Sequence, residues 1–141
     1  MARIIAIDYG LKRTGIAVTD PLQIIAGGLE TIASNELEKW LERYIASEPV
    51  ERIVVGCPTN LDGSLSDTMS NYIQPVIDRL KQKFPDLMID VYDERFTSKM
   101  ALRSMIEGGM KKKDRRNKAN IDKLSATILL QGYLMYKQNS V

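Results

Sequence analysis

The chain of 141 residues contains no histidine, a single cysteine and only 6% aromatic residues. Without imidazole, the group that most often moves protons near neutral pH is missing, and any acid–base step must use something else. Cys57 cannot form an internal disulfide, and a lone thiol suits a reducing compartment, so the expected location is the cytoplasm. No apolar run has the length of a membrane span, and the N-terminus enters a charged strand instead of a signal-peptide pattern. Repeats, low-complexity stretches and linkers are absent as well. We therefore expect one domain over residues 1–141, large enough to bury a core without staples, and no membrane partner.

Charge is present but unevenly placed. The net charge is +2. Yet residues 95–123 hold ten of the twenty Lys and Arg against three of the eighteen acids, Glu107, Asp114 and Asp122. Such segregation creates a local positive field and points to an anionic partner. Lys111, Lys112, Lys113, Arg115, Arg116 and Lys118 are its densest part and the candidate phosphate contacts.

The first twenty residues read as a β-hairpin. Ile4-Ile5-Ala6-Ile7 ends in Asp8, a glycine-framed loop from Tyr9 to Gly15 follows, and Ile16-Ala17-Val18 returns. Asp20-Pro21-Leu22-Gln23 is a turn and Ile24 to Ile32 a third strand. Ser34-Asn35 with Glu38 resembles a capping box for a helix through Leu37, Trp40, Leu41, Tyr44 and Ile45, stopped near Pro49. Arg52 to Gly56 is a short strand buried on both faces. A second helix opens near Ser66-Asp67 and runs to Phe84, with Pro75 marking a kink or break. Met88 to Tyr92 is a fifth strand. Thr97 caps a third helix, Met100 to Glu107; residues 110–119 form a loop, and Asn120 caps a last helix to about Lys137. The three consecutive strands should be antiparallel, and strands four and five, reached through helices, parallel. The expected fold class is α/β, a mixed five-stranded sheet flanked by helices.

In such a sheet, functional groups gather outside the carboxyl ends of the parallel strands. Asp8 and Asp93-Glu94 both stand there. Successive strand residues face opposite sides, so only one of the latter pair points inward, and Glu94, with the longer reach, is preferred. Asp122 heads an apolar stripe of Ala126, Leu129 or Leu130, and Tyr133 on the last helix. Three carboxylates cannot converge while ionised without a counter-charge. All-oxygen ligands with no His or Cys favour Mg²⁺ or Mn²⁺, and a pair of such ions cleaves phosphodiesters without histidine. Each acid alone has an ordinary role, as a turn former, a surface ion pair or a helix-dipole partner. The chemistry is carried only by the set.

The set resembles the YqgF family, also called RuvX, within the RNase H-like superfamily. The carriers are Asp8-Tyr9-Gly10 with Lys12 to Ala17 and Asp20; Gly56-Cys57-Pro58 with Asn60 and Asp62-Gly63; Asp93 to Thr97; and Ile121-Asp122 with Ala126 and Leu129-Leu130-Gln131. The resemblance implies an RNase H-like fold and Mg²⁺-dependent nuclease activity on structured nucleic acid. The substrate it favours is the 5′ end of the small-subunit ribosomal RNA precursor, with a Holliday junction of branched DNA as the alternative. It makes Asp8, Glu94 and Asp122 the metal ligands and catalytic residues, Lys12, Arg13 and Arg95 phosphate contacts, and Asn60 a substrate-positioning residue. A non-catalytic nucleic-acid-binding module is a further alternative. An ATP-binding fragment of the actin and hexokinase type would need a second lobe that 141 residues do not provide. The assembly expected is a monomer or a weak homodimer.

Overall fold

The computed structural model describes residues 2–57, 72–93 and 118–139. Its strands are β1 (Arg3–Tyr9), β2 (Arg13–Thr19), β3 (Ala26–Ala33), β4 (Val50–Cys57) and β5 (Met88–Asp93). Its helices are α1 (Leu37–Ser47), preceded by a tight turn at Ser34–Glu36, α2 (Gln74–Lys83) and α3 (Lys118–Asn139). The expected third helix, 100–107, and the loop beginning at Pro58 lie outside the described residues. Sheet order is β3-β2-β1-β4-β5. β1 pairs antiparallel with β2 and parallel with β4, β2 pairs antiparallel with β3, and β4 pairs parallel with β5. The expected mixed sheet is therefore present, with the expected strand directions.

The period-two alternation of strand side chains divides the apolar residues between two layers. Ile5, Ile7, Ile16, Ile53 and Val55 face α1 and α2, where Leu37, Trp40, Leu41, Val76, Ile77 and Leu80 complete one core. Ile4, Ala6, Ala17 and Val54 face α3, which supplies Ala126, Leu129, Leu130, Tyr133 and Leu134. The stripe expected beneath Asp122 is thus buried as read. Small residues at Ala6, Ala17 and Ala126 let this helix lie close over β1 and β2.

Three local expectations are corrected. Ser34 does not cap α1: the N-cap is Glu36, with no side-chain bond. The Ser34 hydroxyl instead donates to the Gly10 carbonyl and shares a hydrogen bond with Thr14 Oγ1 at 2.8 Å, while Glu38 pairs with Arg79. The third strand starts at Ala26 because the Asp20 carboxylate captures the N–H groups of Ile24 and Ile25, both at 2.8 Å, and folds them into the turn. Those bonds, chiefly from Ile25, hold the Asp20 carboxyl below its ordinary range. Pro75 marks the expected break: α2 starts at Gln74, with the proline in its first turn, while the expected helix opening near Ser66-Asp67 lies outside the described residues. Finally, α3 begins at Lys118, two residues before the expected cap at Asn120.

Candidate nucleic-acid cleavage site

Asp8 lies near the carboxyl end of β1, and the alternation Ile4, Ala6, Asp8 places it on the α3 face. Its antiparallel partner on β2 is Gly15. On the other side, Ile7 pairs with Val55, so the next residue, Gly56, flanks Asp8 on β4. Gly56 in turn pairs with Tyr92 of β5. The row across the sheet at this level is Gly15, Asp8, Gly56, Tyr92. No side chain stands beside the carboxylate on either neighbouring strand. β4 thus places a glycine, which has no side chain, next to Asp8. A carboxylate, an all-oxygen donor, suits hard divalent cations.

The direction of α3 follows from its contacts. Gln131, Leu134 and Met135 line a cavity with Ile24, Ile25 and Ala26. Ala26 pairs with Thr19, whose hydroxyl accepts the Ile4 N–H at 3.0 Å, at the amino end of β1. Tyr133 reaches Arg52, near the amino end of β4. The C-terminal half of α3 therefore covers the amino ends of β1 and β4, and the helix runs back toward their carboxyl ends. From Leu134 to Asp122 a helix rises about 18 Å, whereas Ile4 to Asp8 along a strand is about 13 Å. The helix is long enough for its N-terminal turns to extend in that direction.

A polar clamp fixes this helix against the sheet. Tyr133 Oη donates to Asp90 Oδ2 at 2.6 Å and accepts from Arg52, whose guanidinium lies 3.4 Å from the same carboxylate. Burial, reinforced by the bond to Asp90, pushes the Tyr133 phenol above its ordinary range. The Tyr92 ring meets Tyr133 edge-on at 5.9 Å, and Gly132 gives it room: a Cβ there would lie 3.2 Å from Tyr92 Oη.

The hairpin loop beside Asp8 is equally tied down. A Cβ on Gly10 would sit 2.5 Å from the Arg13 carbonyl oxygen, so only glycine closes this turn. Thr14 and Ser34, both buried, bridge to the Gly10 carbonyl, and the Ser34 N–H donates to the Lys12 carbonyl at 3.0 Å. Lys12 and Arg13 project from this braced turn into solvent.

The structure brings Asp8, Lys12 and Arg13 to one end of the sheet, and α3 runs back toward that end; the side chains of Lys118 and Asp122, in its first turns, lie outside the described residues. Asn60, Glu94, Arg95, Lys111, Lys112, Lys113, Arg115 and Arg116 lie outside the described residues. Among the described residues no group of three His, Cys, Asp or Glu is assembled. Sequence reasoning missed the Thr14–Ser34 brace and the Arg52–Asp90–Tyr133 clamp. Both join residues remote in sequence and ordinary in local pattern; only the polar character of positions otherwise facing a core could have hinted at them.

A five-stranded sheet in this order, with helices on both faces, is an RNase H-like fold. It superimposes on Thermus thermophilus RuvC, solved in complex with a Holliday junction substrate, with a TM-score of 0.60 over 99% of this chain and 98% of that one. At 14% identity that likeness speaks to the fold alone. The chain belongs to the RuvX family: the family model, described as Holliday junction resolvase, matches residues 2–136. A Bacteroides thetaiotaomicron relative named as a pre-16S rRNA nuclease is 54% identical over 138 residues, covering 98% of this chain and 99% of that protein. An Amoebophilus asiaticus relative of the same name is 52% identical over 142 residues and full length in both. Among the described residues no helix is long and apolar enough to cross a membrane.

Proposed function

We propose that this chain is a metal-dependent endonuclease of the cytoplasm that trims the 5′ end of the small-subunit ribosomal RNA precursor. The observation that carries the reading is the acid Asp8 near the carboxyl end of β1, between Gly15 of β2 and Gly56 of β4, in a chain whose relatives are named as pre-16S rRNA nucleases. Asp8, Glu94 and Asp122 would hold Mg²⁺ or Mn²⁺, two ions in all. When bound, such a pair activates water and stabilises the leaving oxygen of a phosphodiester. In β5, Asp90 packs with Tyr133 and Tyr92 with the α3 core. The next number in that period-two series is 94, which supports Glu94 over Asp93 as the β5 ligand.

The protein's own contribution is positioning and charge. Lys12 and Arg13, on a turn held by buried hydrogen bonds, contact phosphates next to Asp8 without having to be ordered on binding. Lys111, Lys112, Lys113, Arg115, Arg116 and Lys118 would extend the phosphate contacts along the substrate, with Arg95 a further phosphate contact and Asn60 a substrate-positioning residue. These contacts fix register; they read no sequence.

The description of the family model favours one other substrate, a four-way DNA junction. The test sets the full chain against a 5′-extended small-subunit rRNA precursor and a four-way junction, each with Mg²⁺, with Mn²⁺ and with chelator. The proposal expects metal-dependent cuts in the precursor 5′ extension and little on the junction. Preferred cutting of the junction would favour resolvase action, and tight binding without cleavage of either would favour a binding module.

A further inference from the structure

A second recess opens at the same end of the sheet, on the face opposite Asp8. It has a volume of about 390 Å³ and lies between the hairpin loop, the turn at Ser34–Glu36 and α2. Its floor is apolar and buried, formed by Leu37 and Val76. Tyr9 and Leu11 form its walls. Its rim carries Asn35 and the ion pair in which Arg79 Nε donates to Glu38 Oε1 at 2.9 Å. The Tyr9 hydroxyl, the Asn35 amide and the terminal amino groups of Arg79 have no partner among the described residues.

An apolar slot of this size with a few convergent polar groups has the make-up of a small-molecule site. Its chemistry narrows the ligand. The walls suit a flat ring, with Tyr9 available for stacking, and the rim offers both donors (Arg79, Asn35) and acceptors (Asn35, Glu38). That pairing matches the edge of a nucleobase, which presents donors and acceptors side by side. Position narrows it again. Tyr9 directly follows Asp8 in β1, so the two faces meet at the rim of the sheet, and Lys12 and Arg13 lie on the turn between them. A strand whose phosphates follow that turn has its reactive bond near Asp8 and a neighbouring base over the recess.

We propose that the recess between Tyr9, Leu37, Val76 and Arg79 receives an unpaired nucleobase next to the bond that is cut. The inference rests on the nuclease reading and deepens it, because a base can enter only if it has left its stack, which makes single-stranded or splayed RNA the substrate at this point. Arg79 and Asn35 then determine which base is preferred there.

The test is methyl NMR on the full chain, following Leu37 and Val76 on the floor and Leu11 at the loop. The titrants are four single-stranded homopolymer oligoribonucleotides, a fully paired RNA duplex and the four nucleoside monophosphates. The single strands should shift Leu37 and Val76 in a saturable way and the duplex should leave both in place. Arg79→Ala should weaken the response about tenfold, the value of one good base-edge contact, and Asn35→Ala should change the order of preference among the bases. Both residues are exposed and the Arg79–Glu38 pair is a surface one, so neither variant threatens the fold. RNA that shifts Leu11 while leaving Leu37 and Val76 unmoved overturns the pocket but leaves the nuclease reading standing. Monophosphates that bind where RNA does not would assign the recess to free nucleotides and also overturn it. RNA that shifts nothing at all removes the nuclease reading, and the base pocket with it.

Discussion

The two faces of the sheet are built by the same five strands and differ in kind. Toward α1 and α2, the strand residues Ile5, Ile7, Ile16, Ile53 and Val55 are large, branched and dry. Toward α3, the alternate positions are Ala6, Ala17 and Val54, with Asp90 beside Val54 in the clamp, then Asp8, Gly15 and Gly56, with Tyr92 on β5. One face is a packed apolar core, with a recess at its edge between the hairpin loop and α2. The other is a core at one end and carries Asp8 with its two glycine neighbours at the other. Because alternate residues of one strand serve opposite faces, β1 contributes Ile7 to the dry layer and Asp8 to the other face, and neither compromises the other.

Truncation should show that the two cores contribute comparably although only one adjoins the site. Ile53→Ala on the α1/α2 face and Leu129→Ala on the α3 face each remove a fully buried side chain, and each should cost about 2–5 kcal/mol by denaturant unfolding. A small effect of Leu129→Ala alone would mean that α3 is loosely docked and that the comparison is wrong.

The clamp comes next in size. Tyr133→Phe removes the hydroxyl that joins Asp90 to Arg52 and should destabilise the chain by about 1–3 kcal/mol. On the opposite face, Ser34→Ala leaves the Gly10 carbonyl and Thr14 without their shared partner. It should fall in the lower part of the same range, with the loss seen first as faster amide exchange in residues 10–13.

The smallest effect is on pH dependence. The Tyr133 phenol has a higher pKa in the folded chain than in the unfolded one. Its contribution is fully present below pH ~10, the ordinary tyrosine value, and is lost as pH rises through the folded value. Tyr133→Phe should therefore flatten the decline of stability in alkaline solution, measured as Tm against pH. An unchanged slope would place that phenol in solvent.

Much of this architecture is written locally. The apolar runs of β1, β2 and β4 and the helical spacing of Leu37, Trp40 and Leu41 predict the elements. The stripe through Ala126, Leu129 and Tyr133 identifies the buried side of α3 without further information. Local pattern fails where a side chain is taken by a distant partner. Ser34 and Glu38 have the spacing of a capping box, but Thr14, Gly10 and Arg79 claim them. Ile24 and Ile25 are strand formers, but the Asp20 carboxylate folds their N–H groups into a turn. Of the site, Asp8 was legible as a strand-end acid. The glycines on both sides of it could be understood only from register, because Gly15 and Gly56 become its neighbours through pairing between strands.

The central claim is that the site around Asp8 cuts nucleic acid with the help of divalent cations. Its most direct measurement compares the chain and Asp8→Asn on one 5′-extended rRNA precursor, scoring binding and cleavage together in Mg²⁺ and in chelator. The account predicts cleavage by the unmodified chain in Mg²⁺ only. It also predicts that Asp8→Asn binds the RNA with similar affinity and cuts it at least about a hundredfold more slowly, the upper end of what loss of a ligand's supporting partner costs. Cleavage that persists in chelator, or that Asp8→Asn leaves undiminished, would contradict it.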